Sequence, residues 1–228
     1  MLLSGRGFVL DFQAEPKPTG AIFQEDIGLA VLIGKPSADL IFQVSELADE
    51  VICPIETQEY ISPELSGWSL ELGSLLQLPS STDLEEFSNT LSIPLKDKQN
   101  SETPQVRTLQ PEELLQISDI PELLLEELEQ EASLRTEIFC SLDKNNPVAF
   151  CFPASQSETL WDISIDTLLA YRRAGHAEKC VRYAIQEMAK RGLRPVWGVV
   201  DSNRGSLKLA TKLGFEEQYR IAVFTREN

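Results

Sequence analysis

An alternating run that breaks into a basic, glycine-bearing turn and then into an amphipathic helix is the strongest constraint in this chain. The run is Leu160-Trp161-Asp162-Ile163-Ser164-Ile165-Asp166-Thr167. Its period of two is that of a half-buried strand. The turn is Arg172-Arg173-Ala174-Gly175-His176-Ala177. After it, Ala177, Cys180, Val181, Ala184, Ile185 and Met188 recur at helical spacing, and Gly192 is a natural stop. A strand, a thin basic turn and a helix start together make an anion site. The first helical N–H groups have no partner inside the helix. The helix dipole adds partial positive charge at the same end. Gly175 and Ala177 keep the backbone open to a ligand, and Arg172 and Arg173 add forked donors. The ligand such a site fits is a phosphate or pyrophosphate.

Arg172-x-x-Gly175-x-Ala177 resembles the Q/R-x-x-G-x-G/A pyrophosphate loop of the GNAT N-acetyltransferase superfamily. A short glycine pattern alone recurs by chance. About a helix and a strand later, Asn203-Arg204-Gly205-Ser206-Leu207-Lys208-Leu209-Ala210-Thr211-Lys212-Leu213-Gly214-Phe215 is similar to the family's N-x-x-S/A-x-x-L-x-x-K-L-G-F segment. Ile165-Asp166-Thr167 and the run from Arg191 to Trp197 resemble one branch of the same family. The resemblance is strong from about Leu160 to Phe224, moderate from Val106 to Thr159, and indistinct before residue 100.

The rest of the pattern predicts a mixed α/β (α+β) chain. Strand-like runs stand at Gly7–Phe12, Leu29–Ile33 and Val51–Ile55. A helix is expected over Ala38–Ala48 and a second over Leu70–Leu78. Residues 80–105, rich in Ser, Thr, Asp, Asn and Pro, read as a linker. A strand at Val106–Leu109 precedes a helix start at Pro111-Glu112-Glu113. Pro121–Leu134 reads as an acidic amphipathic helix with Leu123, Leu124, Leu125 and Leu128 on one face. Glu137–Leu142 and Val148–Pro153, joined by Asp143-Lys144-Asn145-Asn146, read as a hairpin. Then come the strand Leu160–Thr167, its helix, a strand Pro195–Val200, a helix Asn203–Leu213 and a strand Tyr219–Thr225. Periodicity gives only this mixed class. The resemblance implies more: a GNAT-type, mostly antiparallel sheet flanked by helices over 106–228, with an N-terminal α/β lobe at 1–79.

Charge divides unevenly. Residues 1–100 hold 5 Lys+Arg against 16 Asp+Glu, a net of −11. Residues 101–156 hold 3 against 11, and residues 157–228 hold 12 against 9, giving −8 and +3 within the total of −16. The one net-basic part carries the phosphate motif. An acidic surface argues against binding a nucleic-acid backbone and is equally a device for solubility. No apolar run approaches the ~20 residues that span a bilayer. The first residues, Met1-Leu2-Leu3-Ser4-Gly5-Arg6-Gly7, are too mixed for a signal peptide, so a cytoplasmic location is expected. Cys53, Cys140, Cys151 and Cys180 show no CxxC spacing and are expected to be buried, reduced thiols. With one histidine, a His-rich metal site is excluded and no metal is expected.

What the family resemblance implies for chemistry is transfer of an acetyl group from acetyl-CoA to an amine, of a small molecule or a protein. The strand Leu160–Thr167 would splay from Pro195–Val200, and the pantetheine arm would pair with its exposed backbone. An N–H near Ile165 or Asp166 would hold the oxyanion, with Thr167 closing the strand. The amides of Arg173, Ala174, Gly175, His176 and Ala177, with Arg172, would hold the pyrophosphate. Asn203 and Ser206 would lie beside the cofactor arm, although Asn203 reads equally as a helix cap. Asp162 and Glu158 are the candidate bases, acting through a water. Asp166, closer to the turn, reads as structural. His176 is either a phosphate contact or a solvated loop residue. Many members place a proton-donating Tyr where this chain has Ala210, with Tyr219 only a distant substitute. A cationic acceptor would suit an acidic pocket, and a homodimer is compatible with the sequence. Two other readings stay open: a non-catalytic acyl-CoA-binding module, and a protein-interaction subunit whose acidic face includes Glu126, Glu127, Glu129 and Glu131.

Overall fold

A computed structural model of the chain describes residues 7–13, 19–24, 28–84, 87, 105–117, 119–134 and 136–227. Two compact units emerge: Met1–Leu78 with Trp197–Asn228, and Pro79–Val196. The C-terminal segment thus packs with the N-terminal one. The linker expected over 80–105 falls for most of its length outside the described residues.

In the first unit, strands β1 (Gly7–Gln13), β2 (Thr19–Gln24) and β3 (Leu29–Ile33) form an antiparallel meander. Helix α1 (Ala38–Leu47) follows, then β4 (Glu50–Pro54), which runs parallel to β3. A helix must intervene, because parallel neighbours need a crossover. Ser37 caps α1 by accepting from the Leu40 N–H at 3.2 Å. Leu40, Ile41 and Val44 of α1 pack with Ala30, Leu32, Val51 and Phe224 in one buried cluster. A short helix α2 (Gln58–Ile61) adds Ile61 to it.

Strand β5 (Trp68–Gln77) corrects the helix expected over Leu70–Leu78. It pairs antiparallel with the C-terminal strand, residues Glu216–Arg226, from Trp68↔Arg226 to Gln77↔Glu216. Trp68, Leu70 and Leu72 alternate as a strand requires. The adjacent Leu75 and Leu76 imitate a helical spacing, but a register shift between Glu217 and Tyr219 lies opposite them and resets the alternation. Gly73 also disfavours a helix, and here a Cβ on it would lie 2.6 Å from the Val199 carbonyl oxygen.

The second unit starts with β6 (Val106–Thr108) and a 3₁₀ turn, Pro111–Gln116, whose Glu113 reaches back to the Gln110 N–H. Arg107 donates two hydrogen bonds to the Glu113 carboxylate, each 2.6 Å. Helix α3 (Glu122–Ser133) buries Leu128 and half-buries Leu124 and Leu125. Leu123 departs from the expected face and is 81% exposed, because a helix turns 100° per residue and three consecutive leucines cannot share one stripe. Strands β7 (Phe139–Asp143) and β8 (Asn146–Gln156) form the expected hairpin. Lys144 and Asn145 at its tip both have positive φ, 46° and 73°, as a two-residue primed turn requires. Strand β9 (Leu160–Thr167) pairs antiparallel with β8 from Trp161 to Thr167.

Val148 to Phe152 of β8 are all buried, because helices cover both faces. On one face Cys140, Phe150 and Phe152 join Leu124, Leu125 and Leu128 of α3. On the other lies helix α4 (His176–Ala189), whose buried stripe is His176, Cys180, Val181, Ala184, Ile185 and Met188. Strand β10 (Arg194–Val200) begins in this unit, parallel to β9. Its last residues fall in the first unit, with helix α5 (Arg204–Lys212) and strand β11 (Glu216–Arg226), which lies between β4 and β5. The whole is a mixed α/β architecture on mostly antiparallel sheet.

All four cysteines are free and buried. Burial pushes the Cys53 thiol up to about 12 and Cys140 to about 11. No helix among the described residues is long and apolar enough to cross a membrane.

Candidate active site

Strand β9 pairs with β10 at three positions only: Leu160↔Arg194, Trp161↔Pro195 and Asp162↔Val196. From Ile163 to Thr167 it keeps its β8 partners, Pro153 to Ala149, and has no ladder pair on the other side among the described residues. This half strand therefore presents an edge that an extended ligand can extend by backbone hydrogen bonding. Asp162 sits, half-buried, at the last paired position. Trp161 and Ile163 are buried. Asp166 stands opposite Phe150, on the α3 face of the sheet.

The open edge leads into the turn. A 3₁₀ segment, Leu169–Tyr171, reverses the chain, and Arg172 Nε donates to the Thr167 carbonyl at 3.1 Å. That bond occupies one of five guanidinium donors and aims the rest outward. Arg173 takes φ 63° and Gly175 φ 87°. Gly175 is the N-cap residue of α4, and no side chain among the described residues caps the helix. A Cβ on Gly175 would meet nothing within 4 Å. The left-handed φ makes glycine the fitting residue, and the adjoining space is open. The result is a helix start with uncapped N–H groups, open space and two flanking arginines, which is the geometry of a phosphate cradle.

His176 behaves differently from a solvated loop residue. The side chain of His176 is buried, only 5% exposed, with Nδ1 2.9 Å from the Ser141 hydroxyl of β7. Its ring is turned into the protein, so it offers a ligand its backbone only. Burial holds its pKa below the ordinary value, with Asp143 opposing and Lys179 reinforcing the shift. Asp166 is pushed up by burial, with Arg172 opposing. Glu127 of α3 is raised by burial and then by the charges of Asp166 and Glu131. These carboxylates crowd the α3 side of β9, and no local sequence pattern links them.

Glu158 lies exposed in the turn before β9. Only Leu160–Thr167 is extended, about 3.3 Å per residue, so Glu158, in the bend before it, stands on the order of 20 Å from the turn at the far end of the strand. Asn203 and Ser206 belong to the first unit. There Asn203 accepts from the Ser206 N–H at 3.1 Å, as a helix cap. The Ser206 hydroxyl accepts from Trp197 Nε1 at 2.8 Å. Trp197 in turn packs edge-on against Phe215, with centroids 5.3 Å apart. Ala210 is fully buried, so the position where family members place a phenol is here part of the packing. Tyr219 is 64% exposed on β11.

Comparison with known proteins supplies the frame for this geometry. A family model for GNAT acetyltransferases matches residues 139–224. That stretch is thus similar to the GNAT acetyltransferases. Solved structures of similar fold cover nearly the whole chain. A GCN5-related N-acetyltransferase-like protein from Streptococcus suis superposes with TM-score 0.69 at 21% identity, covering 98% of this chain and 90% of its own. An acetyltransferase of the GNAT family from Colwellia psychrerythraea gives TM-score 0.55 at 16% identity, over 97% and 85%. A conserved protein of unknown function from Staphylococcus epidermidis gives TM-score 0.61 at 10% identity, over 96% and 95%. At these identities the likeness is one of fold. No curated protein matches the chain. The GNAT match takes in the β7–β8 hairpin, β9, the turn and α4, together with β10, α5 and most of β11.

Proposed function

We propose that this protein is a GNAT-type, acetyl-CoA-dependent N-acetyltransferase acting on an amine of a small molecule or protein. One observation carries the reading: the unpaired half of β9 runs directly into an uncapped, glycine-opened helix start flanked by arginines. In this reading the edge from Ile163 to Thr167 binds the amides of the pantetheine arm. The amides of Arg173 to Ala177, with Arg172, hold the pyrophosphate. An N–H near Ile165 or Asp166 stabilises the oxyanion as the amine nitrogen attacks the thioester carbon. The carbon–sulfur bond then breaks, and the amide product and the free thiol leave.

The amine, with a pKa near ~10, must shed its proton first. Asp162, half-buried where β9 leaves β10, is the residue we assign to that task, through a water. Glu158, in the bend before Leu160, stands further from the open half of the strand than Asp162 does. No phenol stands at Ala210, and a thiol of pKa about 8.5 leaves as thiolate without a dedicated acid. The same buried Ala210 favours a second reading, an acyl-CoA-binding module without turnover. Along the sequence we assign residues 106–228 to the acetyltransferase-like segment, although Trp197–Asn228 pack with Met1–Leu78, with 1–79 as the N-terminal lobe, 80–105 as the linker and the cytoplasm as the place of action.

Calorimetric titration with acetyl-CoA, with desulfo-CoA and ATP as controls, tests binding. Saturable micromolar binding that ATP does not reproduce is expected. Failure of a folded protein to bind would overturn both readings. Turnover with a panel of amines then separates the enzyme from the binding module.

A further inference from the structure

Because Gly175 leaves α4 without a side-chain cap, something else must fix the orientation of its first amides. His176 occupies that place. Its ring is buried and meets three pieces of structure at once. Nδ1 lies 2.9 Å from the Ser141 hydroxyl, which is itself wholly buried in β7. Tyr171, from the 3₁₀ turn that leaves β9, meets the ring edge-on, with centroids 6.2 Å apart and planes at 88°. The third piece is α4 itself, of which His176 is the first residue. One turn further on, the Cys180 thiol reaches the carbonyl oxygens of Phe139 and Ala149, at 3.3 and 3.8 Å, in the same hairpin. The turn amides Arg173 to Gly175 are thus held between Tyr171 and His176, and both are referred to β7 by one hydrogen bond.

We propose that Ser141 and His176 form a positioning pair that aligns the helix-start amides with the pyrophosphate of the cosubstrate. The inference rests on the cofactor reading above. Amide donors act only within a narrow range of distance and angle, and a site held in its bound geometry loses less entropy on binding. Removing the Ser141 hydroxyl leaves a buried ring nitrogen without its partner. The ring is then free to turn, and the turn residues drift with it. The pantetheine arm is held elsewhere, on β9, whose ladder with β8 does not involve Ser141. The effect is therefore confined to the pyrophosphate end.

The test compares two ligands on the full chain. Acetyl-CoA is titrated by calorimetry, and S-acetylpantetheine, which has the thioester arm and no pyrophosphate, by chemical-shift titration. Ser141→Ala is expected to weaken acetyl-CoA about tenfold while leaving S-acetylpantetheine unchanged. His176→Asn, which keeps a polar group near the place of Nδ1, is expected to stay within about threefold of wild type on acetyl-CoA. If Ser141→Ala does not fold, Ser141→Cys, of similar size and a weak hydrogen bonder, should show the same split. Equal losses on both ligands would mean a merely structural role and overturn the proposal, as would no loss on acetyl-CoA. A wild type that binds neither ligand defeats the cofactor reading itself, and that result is read from the wild-type arm alone.

Discussion

Gly175 and Gly192 bracket α4, and together they separate folding from binding. Both are left-handed, with φ 87° and 78°, and at both a Cβ would meet nothing within 4 Å. Alanine at either place therefore carries the backbone cost alone, roughly 1–2 kcal/mol. In a chain of 228 residues each kcal/mol lowers Tm by about 2–4 °C. The two variants should melt alike. They should not bind alike, because only Gly175 adjoins the uncapped N–H groups. Glutamate sharpens the contrast. A carboxylate about 6 Å from one phosphate charge, at an effective dielectric of about 20, is repelled by roughly 3 kcal/mol. With two such charges, Gly175→Glu should weaken acetyl-CoA by at least ~100-fold. Gly192→Glu, some ~25 Å away along the helix, should leave affinity within about twofold. Thermal melts and calorimetry on the four variants make the assay. Folded Gly175→Glu with wild-type affinity would refute the assignment of the turn to pyrophosphate. A collapse of the apo fold in Gly175→Ala would refute the argument that open space surrounds it.

Other outcomes follow from the same geometry. Asp162→Asn should keep acetyl-CoA affinity and lose turnover by on the order of 100-fold; turnover at the wild-type rate would remove Asp162 from the mechanism. Gly73→Ala should destabilise by more than about 2 kcal/mol, because its Cβ would lie 2.6 Å from the backbone oxygen of Val199; an unchanged denaturation midpoint would refute that contact. His176, held low by burial, gains a proton more readily in the unfolded chain, so its contribution is complete above its ordinary value of 6.5 and is lost as pH falls below it. Asp143 at the end of β7 offsets part of this and Lys179 on α4 adds to it. A melt series from pH 8 to pH 5 should therefore decline more steeply in wild type than in His176→Asn, and parallel curves would refute it. Glu127 has the opposite sign, since partial desolvation and the charges of Asp166 and Glu131 raise it, so its ionised form costs some stability as pH rises above 4.5, screened by its exposure to solvent. Glu127→Gln should raise Tm at pH 7 and change it little at pH 4.

Much of this protein was legible in one dimension. Leu160–Thr167 reads as a strand and is one to the residue. Its alternation is local, and a half-buried strand needs no distant information to show its period. Gly175, Ala177 and the stripe from Cys180 to Met188 announce the helix start in the same way. The Asp143–Asn146 turn announces its hairpin. These features arise from contacts among near neighbours, which the sequence writes out in order.

Other features depend on partners far along the chain, and no local pattern carries them. Trp68–Gln77 offers spacings that suit a helix, and becomes a strand because Glu216–Arg226 pairs along it from some 150 residues away and absorbs the irregularity in a bulge. The last strand lies between β4 and β5, which unites both ends of the chain in one unit. Leu123 belongs by composition to the buried face of α3 and by helical geometry to solvent. His176 reads as an exposed loop residue until Ser141, 35 positions earlier, takes its ring. The sequence by itself determined that a glycine, a helix start and two arginines are neighbours in the chain, which is the pattern behind the proposed phosphate site. Only the tertiary structure decided that the His176 ring turns inward to Ser141, which half of β9 is left open, and which carboxylates share its other face. Those depend on long-range burial, and burial is a property of the packed molecule.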